Sequence, residues 1–289
     1  MTHRVNSLAI AFSLFAQVLL AETPELSVKT MLTHGYLGPA RTSKILACDM
    51  LHGTQSISGL KHDSTGRVDF SIRTEIIDHE GKVVDLDPWQ RVTDVYPPSI
   101  MHIAWKTGLS TDFSGDKAGL YVWKTTVKDH LANVERTAEV ALELLPPKGI
   151  VAFSLRCGHD PVGKQNAGAV FSVGEQCFVH GWIGNFKLDN AKMNCRFNVR
   201  IVDLNGKSAG FREQGATGTR EITGQPMQQV SFNFYALKAG KFMIHLDAED
   251  LNGGTKTTET IPFQVLSPDW ALGEDLQSAK NKGELIERR

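Results

Sequence analysis

Apolar and polar residues alternate along most of this chain with a period of two, as expected of strands that bury one face. One clear run covers residues 140–144, and a second covers residues 261–265. The pattern predicts about seven short strands in each half, with no helices between them. Strands in such a series favour an antiparallel sandwich over a parallel sheet, so the sequence predicts an all-β fold.

The first half of the sequence carries landmarks that return in the second half in the same order. The segment IRTEIID at 72–78 leads into a glycine turn, and so does FNVRIVD at 197–203. Three further pairs are His52-Gly53 with His180-Gly181, Ala118-Gly119 with Ala239-Gly240, and Asp129 with Asp250. We therefore expect two tandem copies of one sandwich, at residues 24–146 and 150–267, joined by the stiff segment Pro146-Pro147-Lys148-Gly149.

Two kinds of landmark have competing interpretations. We interpret Asp129 and Asp250 as residues that end a strand and start a turn. A calcium site is the alternative, because loop carboxylates suit hard cations, but DHLAN and DLNGG each supply one sure carboxylate. In each His-Gly pair we expect the histidine to end a strand and the glycine to begin the next turn.

The two modules end in AGLYVWKTTVKDHLANVERTAEVALEL and AGKFMIHLDAEDLNGGTKTTETIPFQV. This pattern resembles the tandem immunoglobulin-like or fibronectin type III-like repeats of exported bacterial proteins. The resemblance implies two tandem antiparallel immunoglobulin-like β-sandwich domains. It implies only a generic function, namely binding, spacing or scaffolding at or outside the cell envelope, because such modules share no active site. The Cys…Trp…Cys spacing of antibody domains does not recur in both copies.

The N-terminal segment 1–21 has the pattern of a signal peptide. A short polar start with Arg4 precedes the uncharged run 8–20, and Ala21 is a plausible cleavage residue. The apolar run is shorter than the roughly 20 residues that span a bilayer, so a signal peptide is favoured over an anchor, with a buried helix as the alternative. We expect an exported protein, periplasmic or extracellular, with no transmembrane segment after signal removal. For the charged tail at 268–289, a short helix and disorder both stay open.

Charge and motifs exclude several classes of function. The chain has 31 Lys+Arg against 32 Asp+Glu, so it lacks the basic surface that nucleic acid requires. It contains no GxSxG, HExxH, P-loop or dinucleotide-binding motif. We therefore expect no enzyme and no cofactor, and a protein or glycan partner at the cell envelope. An enzyme or copper protein with an unfamiliar site is kept as an alternative.

The four cysteines are Cys48, Cys157, Cys177 and Cys195. An oxidising compartment favours pairing, and we expect one bridge, most simply Cys177–Cys195. Inert buried thiols are the alternative. A metal site built from Cys177 and His180 is a weaker hypothesis.

Two tryptophans are candidate ligand contacts. Trp89 follows a proline in an expected loop, and Trp182 alternates with His180. An exposed tryptophan can stack on a sugar ring or anchor a protein partner. The leading hypothesis is thus a non-catalytic binding or spacer protein, and the alternative is a carbohydrate-binding accessory protein that uses these side chains.

Overall fold

The computed structural model of this protein describes residues 25–97, 101–108, 114–161, 169–211 and 213–267. Within these ranges the chain forms sixteen strands and no helix, so the all-β prediction is confirmed. None of the described segments is a helix long and apolar enough to cross a membrane. The expected signal segment 1–21 and the tail 268–289 lie outside the described residues.

The strands fall into two sets of eight. The first set is β1 (Ser27–Leu32), β2 (Lys44–Leu46), β3 (Met50–Ser58), β4 (Arg67–Asp78), β5 (Val83–Val95), β6 (Met101–Gly108), β7 (Gly119–Asp129) and β8 (Val134–Leu145). The second set is β9 (Val151–Gly158), β10 (Val170–Ser172), β11 (Gln176–Gly184), β12 (Lys192–Asp203), β13 (Gln214–Glu221), β14 (Met227–Tyr235), β15 (Gly240–Asp250) and β16 (Thr255–Leu266).

Both sets have the same topology. The first half has sheets β1-β3-β6 and β2-β8-β7-β4-β5, and the second has β9-β11-β14 and β10-β16-β15-β12-β13. Adding eight to each strand number of the first half gives the order of the second. The fold is therefore two tandem immunoglobulin-like sandwiches, and the duplication predicted from the sequence landmarks is confirmed in the strand order.

One strand pair in each half departs from the antiparallel expectation. The three-residue strands β2 and β10 pair in parallel with β8 and β16. In each copy the chain leaves the smaller sheet and crosses to the edge of the larger one, where it lies beside the last strand and runs in the same direction. All other strand pairs among the described residues are antiparallel.

The His-Gly pairs lie inside strands β3 and β11, so the expectation of a strand end and a turn is wrong. The reason is the close packing of a large core side chain against each glycine. A Cβ placed on Gly53 would lie 2.7 Å from Cζ2 of the fully buried Trp123. A Cβ on Gly181 would lie 3.1 Å from Cδ1 of Leu155. Each glycine leaves room for a large side chain in the core.

Asp129 and Asp250 end β7 and β15, and the prediction that they form turns is confirmed. Both are almost fully buried. Asp129 Oδ1 accepts hydrogen bonds from the N–H groups two and three residues ahead, each at 2.9 Å, and its Oδ2 accepts one from Lys61 N at 2.7 Å. Asp250 is bonded similarly, to the N–H groups of Asn252 and Lys187. Each carboxylate thus joins a hairpin turn of the larger sheet to the loop that follows β3 or β11.

We expect Asp129→Ala to destabilise the protein by about 3 kcal/mol, because three backbone N–H donors would lose a charged acceptor that is itself fully buried. Chemical unfolding followed by circular dichroism measures the change. The matched control is Asp116→Ala, which alters an exposed carboxylate and should change the free energy of unfolding by less than about 0.5 kcal/mol. Equal effects of the two substitutions would contradict the structural role given to Asp129.

Candidate functional site

The two sandwiches meet at a buried ion pair. Arg41, in the loop before β2, places its Nη2 atom 2.7 Å from Oδ2 of Asp49, in the turn between β2 and β3. Their side chains are only 9% and 2% exposed. Burial of this kind is tolerated when the remaining lone pairs of the carboxylate are also bonded.

The other carboxylate oxygen of Asp49, Oδ1, accepts those hydrogen bonds, and two of them come from the second sandwich. Asp49 Oδ1 accepts from Met50 N at 2.7 Å, from Ser154 N at 2.9 Å and from Ser154 Oγ at 2.7 Å. Ser154 lies in β9 and has a φ of 51°, a left-handed conformation that costs about 1–2 kcal/mol in a residue other than glycine. The hydrogen bonds to Asp49 hold this serine in place, so one carboxylate ties the halves together.

An apolar cluster surrounds the hydrogen bonds that cross between the halves. Cys48, Val151 and Phe153 are buried in it, and three partly buried side chains pack against them: Leu46, Trp182 and Met227. The cluster combines residues of both halves. It excludes water from the neighbourhood of Asp49 and so strengthens the ion pair. We call the ion pair, Ser154 and this apolar cluster the junction.

Two titratable groups beside the junction have shifted pKa values. Glu259, in β16, has its pKa raised to about 7, first by burial and then by the negative charge of Asp49, while Arg41 opposes the rise. His34 has its pKa lowered to about 4, first by burial and then by Arg41. Around neutral pH the histidine is therefore uncharged, and Glu259 is divided between its protonated and ionised forms.

An apolar cleft of about 330 Å³ also lies between the two halves. The loop residues Leu37, Gly38 and Pro39 form one wall, and the other comes from the second half, including Phe242 and Phe263. Leu37, Val170 and Leu204 at its rim are exposed by 48%, 47% and 64%. The cleft offers apolar contact area, and Lys241 is the one charged side chain among the described residues that line it.

The structure does not bring the two candidate tryptophans together. Trp182 packs in the junction, where Val151 and Phe153 cover it, because its strand faces the other sandwich at this point. Trp89 lies within strand β5, and not in a loop. It is 43% exposed, and the guanidinium carbon of Arg73 lies 5.4 Å from the ring centroid. Trp89 is thus the one that presents an open face to a ligand.

The Cys177–Cys195 bridge is not formed, since all four cysteines are buried, free thiols. Cys195 lies opposite Asp250 on the neighbouring strand, and Asp250 accepts a hydrogen bond from Lys187 N, just beyond the end of β11. Cys177 lies near the start of β11, at the opposite end of that strand. At about 3.3 Å per residue the two cysteines are on the order of 20 Å apart. The prediction therefore needs correction: the thiol beside Cys177 is that of Cys157, which pairs with Val179 on the neighbouring strand.

The structure gives no support to a metal site at Cys177 and His180. The two residues have opposite parity on β11, so the thiol enters the core while the imidazole lies on the other face and bonds Ser231 Oγ at 3.0 Å. Among the described residues, no group of three or more His, Cys, Asp or Glu side chains is placed to hold a metal ion.

Sequence reasoning missed the polar members of the junction. Arg41, Asp49, Ser154 and Glu259 lie far apart in the sequence and belong to no motif. One usable signal was available, because Asp49 is the sole charged residue in the segment ILACDML at 45–51. A carboxylate inside such an apolar segment requires a partner, but the sequence does not indicate which cation it finds.

Comparisons with known proteins do not identify this arrangement. No family model matches the chain, and no curated protein matches it. Among solved structures, the CARDB domain of a Pyrococcus furiosus protein, in complex with di-metal ions, has a TM-score of 0.27 and 13% identity over 40% of this chain and 87% of that one. Red sea bream transglutaminase has a TM-score of 0.28 and 9% identity, over 84% of this chain and 31% of that one. The C-terminal domain of the AgI/II polypeptide BspA of Streptococcus agalactiae has a TM-score of 0.28 and 10% identity, over 82% and 100%. Likenesses this weak carry no argument about function. The strand topology itself defines the class, a protein of two tandem immunoglobulin-like sandwiches.

We expect Glu259→Gln to stabilise the protein by about 2 kcal/mol at pH 8 and by much less at pH 5. When folding raises the pKa of an acid, ionisation of that acid lowers the free energy of unfolding. This loss of stability is absent below the unfolded pKa, near 4.5, and grows as the pH rises to about 7. Glutamine avoids that loss. Urea unfolding of the unchanged chain and of Glu259→Gln at both pH values measures the difference in the free energy of unfolding. His34 is present in both proteins, so its titration cancels from that difference. A difference that is the same at pH 5 and pH 8 would contradict the shifted pKa.

Proposed function

We propose that this chain is an exported, non-catalytic binding or spacer protein of the cell envelope. The observation that carries the proposal is the junction, in which Asp49 of the first sandwich bonds both the N–H and the hydroxyl of Ser154 in the second. A spacer must keep its ends at a set distance, and short linkers with a packed interface serve that purpose better than flexible ones. The apolar cleft and the exposed edge strand β5 are surfaces on which a protein partner could be held.

The segment between the halves supports the same proposal. Gly149 has a φ of 64°, and a Cβ there would lie 2.8 Å from Cβ of Thr255. Asn185 Nδ2 donates to the Gly149 carbonyl at 2.8 Å, and Ile150 N donates to Thr255 Oγ1 at 3.0 Å. The linker is thus bonded to the second sandwich along its last residues, which leaves little chain free to act as a hinge.

The carbohydrate-binding alternative now depends on Trp89. This side chain has an exposed face on the outer surface of β5, while Trp182 packs in the junction. Stacking of one aromatic ring on a sugar is worth little without neighbouring hydrogen-bonding groups, and Arg73 already occupies a position over the Trp89 ring. A protein partner is therefore the preferred ligand class for the proposal.

The spacer role predicts one narrow distance between the two sandwiches. Spin labels on Glu135→Cys and Thr219→Cys, both exposed positions in different halves, report it by pulsed electron paramagnetic resonance. The native thiols are buried, and their raised pKa values protect them from labelling. Asp49→Ala should broaden the distance distribution, and Asp94→Ala, an exposed carboxylate of the first half, should not. A broad distribution in the otherwise unchanged chain would exclude a rigid spacer.

Export predicts a shortened N-terminus. When the full chain is expressed in bacterial cells, mass spectrometry of the purified protein should find that it begins at or near Glu22 and is recovered from the periplasm or medium. The physical reason is removal of segment 1–21 by signal peptidase after translocation. A chain that keeps residues 1–21 and remains in the cytosol would contradict the proposed location.

A further inference from the structure

The first sandwich has a pocket of about 210 Å³ at the opening between its two sheets, where the edge strands β5 and β6 approach each other. Its lining is Tyr36, Asp87, Gln90, Ala104 and Trp105. The pocket thus contains one carboxylate and two aromatic rings. The junction and the apolar cleft share none of these residues, so this pocket is a separate site.

A row of polar side chains leads from the pocket into the core. Asp87 pairs with Thr74 across the strands, and Thr74 pairs with Thr125. Gln55 Nε2 lies 3.5 Å from Thr125 Oγ1. Gln55, Thr74 and Thr125 are all 1% exposed or less. A core normally excludes such groups, because each buried polar atom needs a partner.

Several atoms of this region have no hydrogen-bond partner among the described residues. They are Asp87 Oδ2, Thr74 Oγ1, Gln55 Oε1, Trp105 Nε1 and Thr107 Oγ1. Trp105 and Thr107 are more than nine-tenths buried. The Asp87 carboxylate, the Trp105 indole and the Thr107 hydroxyl lie close to one another. None of the five atoms has a partner at ordinary hydrogen-bond geometry, which is unusual in a folded domain and calls for an explanation such as a bound ligand.

The second sandwich shows that the fold does not require this polar row. The two copies can be aligned by pairing Gly53 with Gly181, Asp78 with Asp203 and Tyr121 with Phe242. In this alignment the positions of the second copy that correspond to the polar row and its neighbours are apolar. Val199 replaces Thr74, Leu246 replaces Thr125, Ile183 replaces Gln55, Val230 replaces Trp105 and Phe232 replaces Thr107. Asp87 pairs with Thr74, and Gln214 pairs with the equivalent Val199, so an uncharged amide replaces the carboxylate in the second copy. The polar row is therefore a property of the first copy, separate from the needs of folding.

The electrostatics of the pocket favour a cation. Burial and then Asp85 raise the pKa of Asp87, although the nearby Trp105 indole and Thr107 hydroxyl lower it. Neither of those neighbours makes a hydrogen bond of ordinary geometry with Oδ2 of the carboxylate. None of the ion pairs among the described residues includes Asp87. A partly buried carboxylate without a counter-ion is unfavourable until a positive charge arrives.

We propose that this pocket binds an alkylammonium group, with Asp87 as the counter-ion and the faces of Tyr36 and Trp105 as cation–π partners. The pocket is smaller than the roughly 300 Å³ typical of sites for drug-sized ligands, so the ammonium enters as the head of a small amine or as a lysine side chain of a protein partner. Both sources present the same chemistry. The proposal goes beyond the spacer role and does not depend on it.

The test is titration of the full chain with n-butylammonium chloride, followed by the indole N–H signals in 1H–15N NMR spectra. The Trp105 signal, assigned from Trp105→Phe, should shift and saturate at millimolar concentrations. Asp87→Asn should weaken binding at least tenfold, because it removes the charge and keeps the shape. The matched control Asp94→Asn, on the same strand but exposed, should change affinity less than twofold.

Two neutral probes decide between ammonium and hydroxyl recognition. If n-butanol or methyl glucoside binds as tightly as n-butylammonium, or if Asp87→Asn binds n-butylammonium as tightly as the unchanged chain, the proposal is overturned. The peptide acetyl-Gly-Lys-Gly-amide distinguishes the two sources. Binding at least fivefold tighter than n-butylammonium supports a partner lysine, and equal binding supports a free amine.

Thermal unfolding gives a readout that a purely structural aspartate would not produce. Without ligand, Asp87→Asn should raise the melting temperature by a few degrees at pH 8, because it removes a charge that has no counter-ion among the described side chains. Saturating n-butylammonium should raise the melting temperature of the unchanged chain and leave that of Asp87→Asn unaltered. A lower melting temperature for Asp87→Asn would show that the carboxylate stabilises the fold, and would overturn the proposal.

Discussion

The Arg41–Asp49 ion pair is the constraint on which the arrangement of this protein depends. A buried pair contributes little stability by itself, but removal of one partner leaves an uncompensated charge and costs about 3–5 kcal/mol. Asp49 also bonds Ser154 across the junction. Separation of the sandwiches would therefore expose the apolar cluster and would also leave the carboxylate with two fewer donors. The free-energy cost of separation is thus electrostatic as well as hydrophobic. Because the hydrogen bonds are directional, the contact also specifies the relative orientation of the two sandwiches.

Duplication explains why the two copies could acquire different chemistry. Each sandwich repeats the same turn, in which Asp78 or Asp203 accepts from the N–H groups two and four residues ahead at 2.9–3.0 Å. Each also repeats the buried aspartate that ends the seventh strand of its set. Because these shared contacts specify the fold twice, the remaining positions were free to diverge. The core of the second copy contains a cluster of phenylalanine rings with centroids 5.3–5.8 Å apart, whereas the first contains the polar row that ends at Asp87.

Sequence patterns predicted the fold well because its determinants are local. Alternation identifies strands, and the Asp-Gly turns and repeated landmarks give the duplication, since each signal is contained in a few neighbouring residues. The site was harder to predict. Asp49, Ser154 and Glu259 meet only after two sandwiches pack, and no spacing along the chain encodes that contact. The His-Gly pairs show the same limit, because Gly53 is required by a Trp123 ring 70 positions away and not by a local turn.

The cysteines show how burial can keep thiols free even where an oxidising compartment would favour pairing. Burial raises the pKa of Cys48 and Cys177 to about 12 and that of Cys195 to about 11. The thiolate is the species that attacks oxidants and disulfides. At neutral pH a group with such a pKa is almost wholly protonated, and its enclosure in the core also denies access to an oxidant. Free thiols are therefore compatible with the proposed export, because the core protects them kinetically wherever the protein is located. The same enclosure makes the four cysteines packing residues, with the chemical role of small apolar side chains.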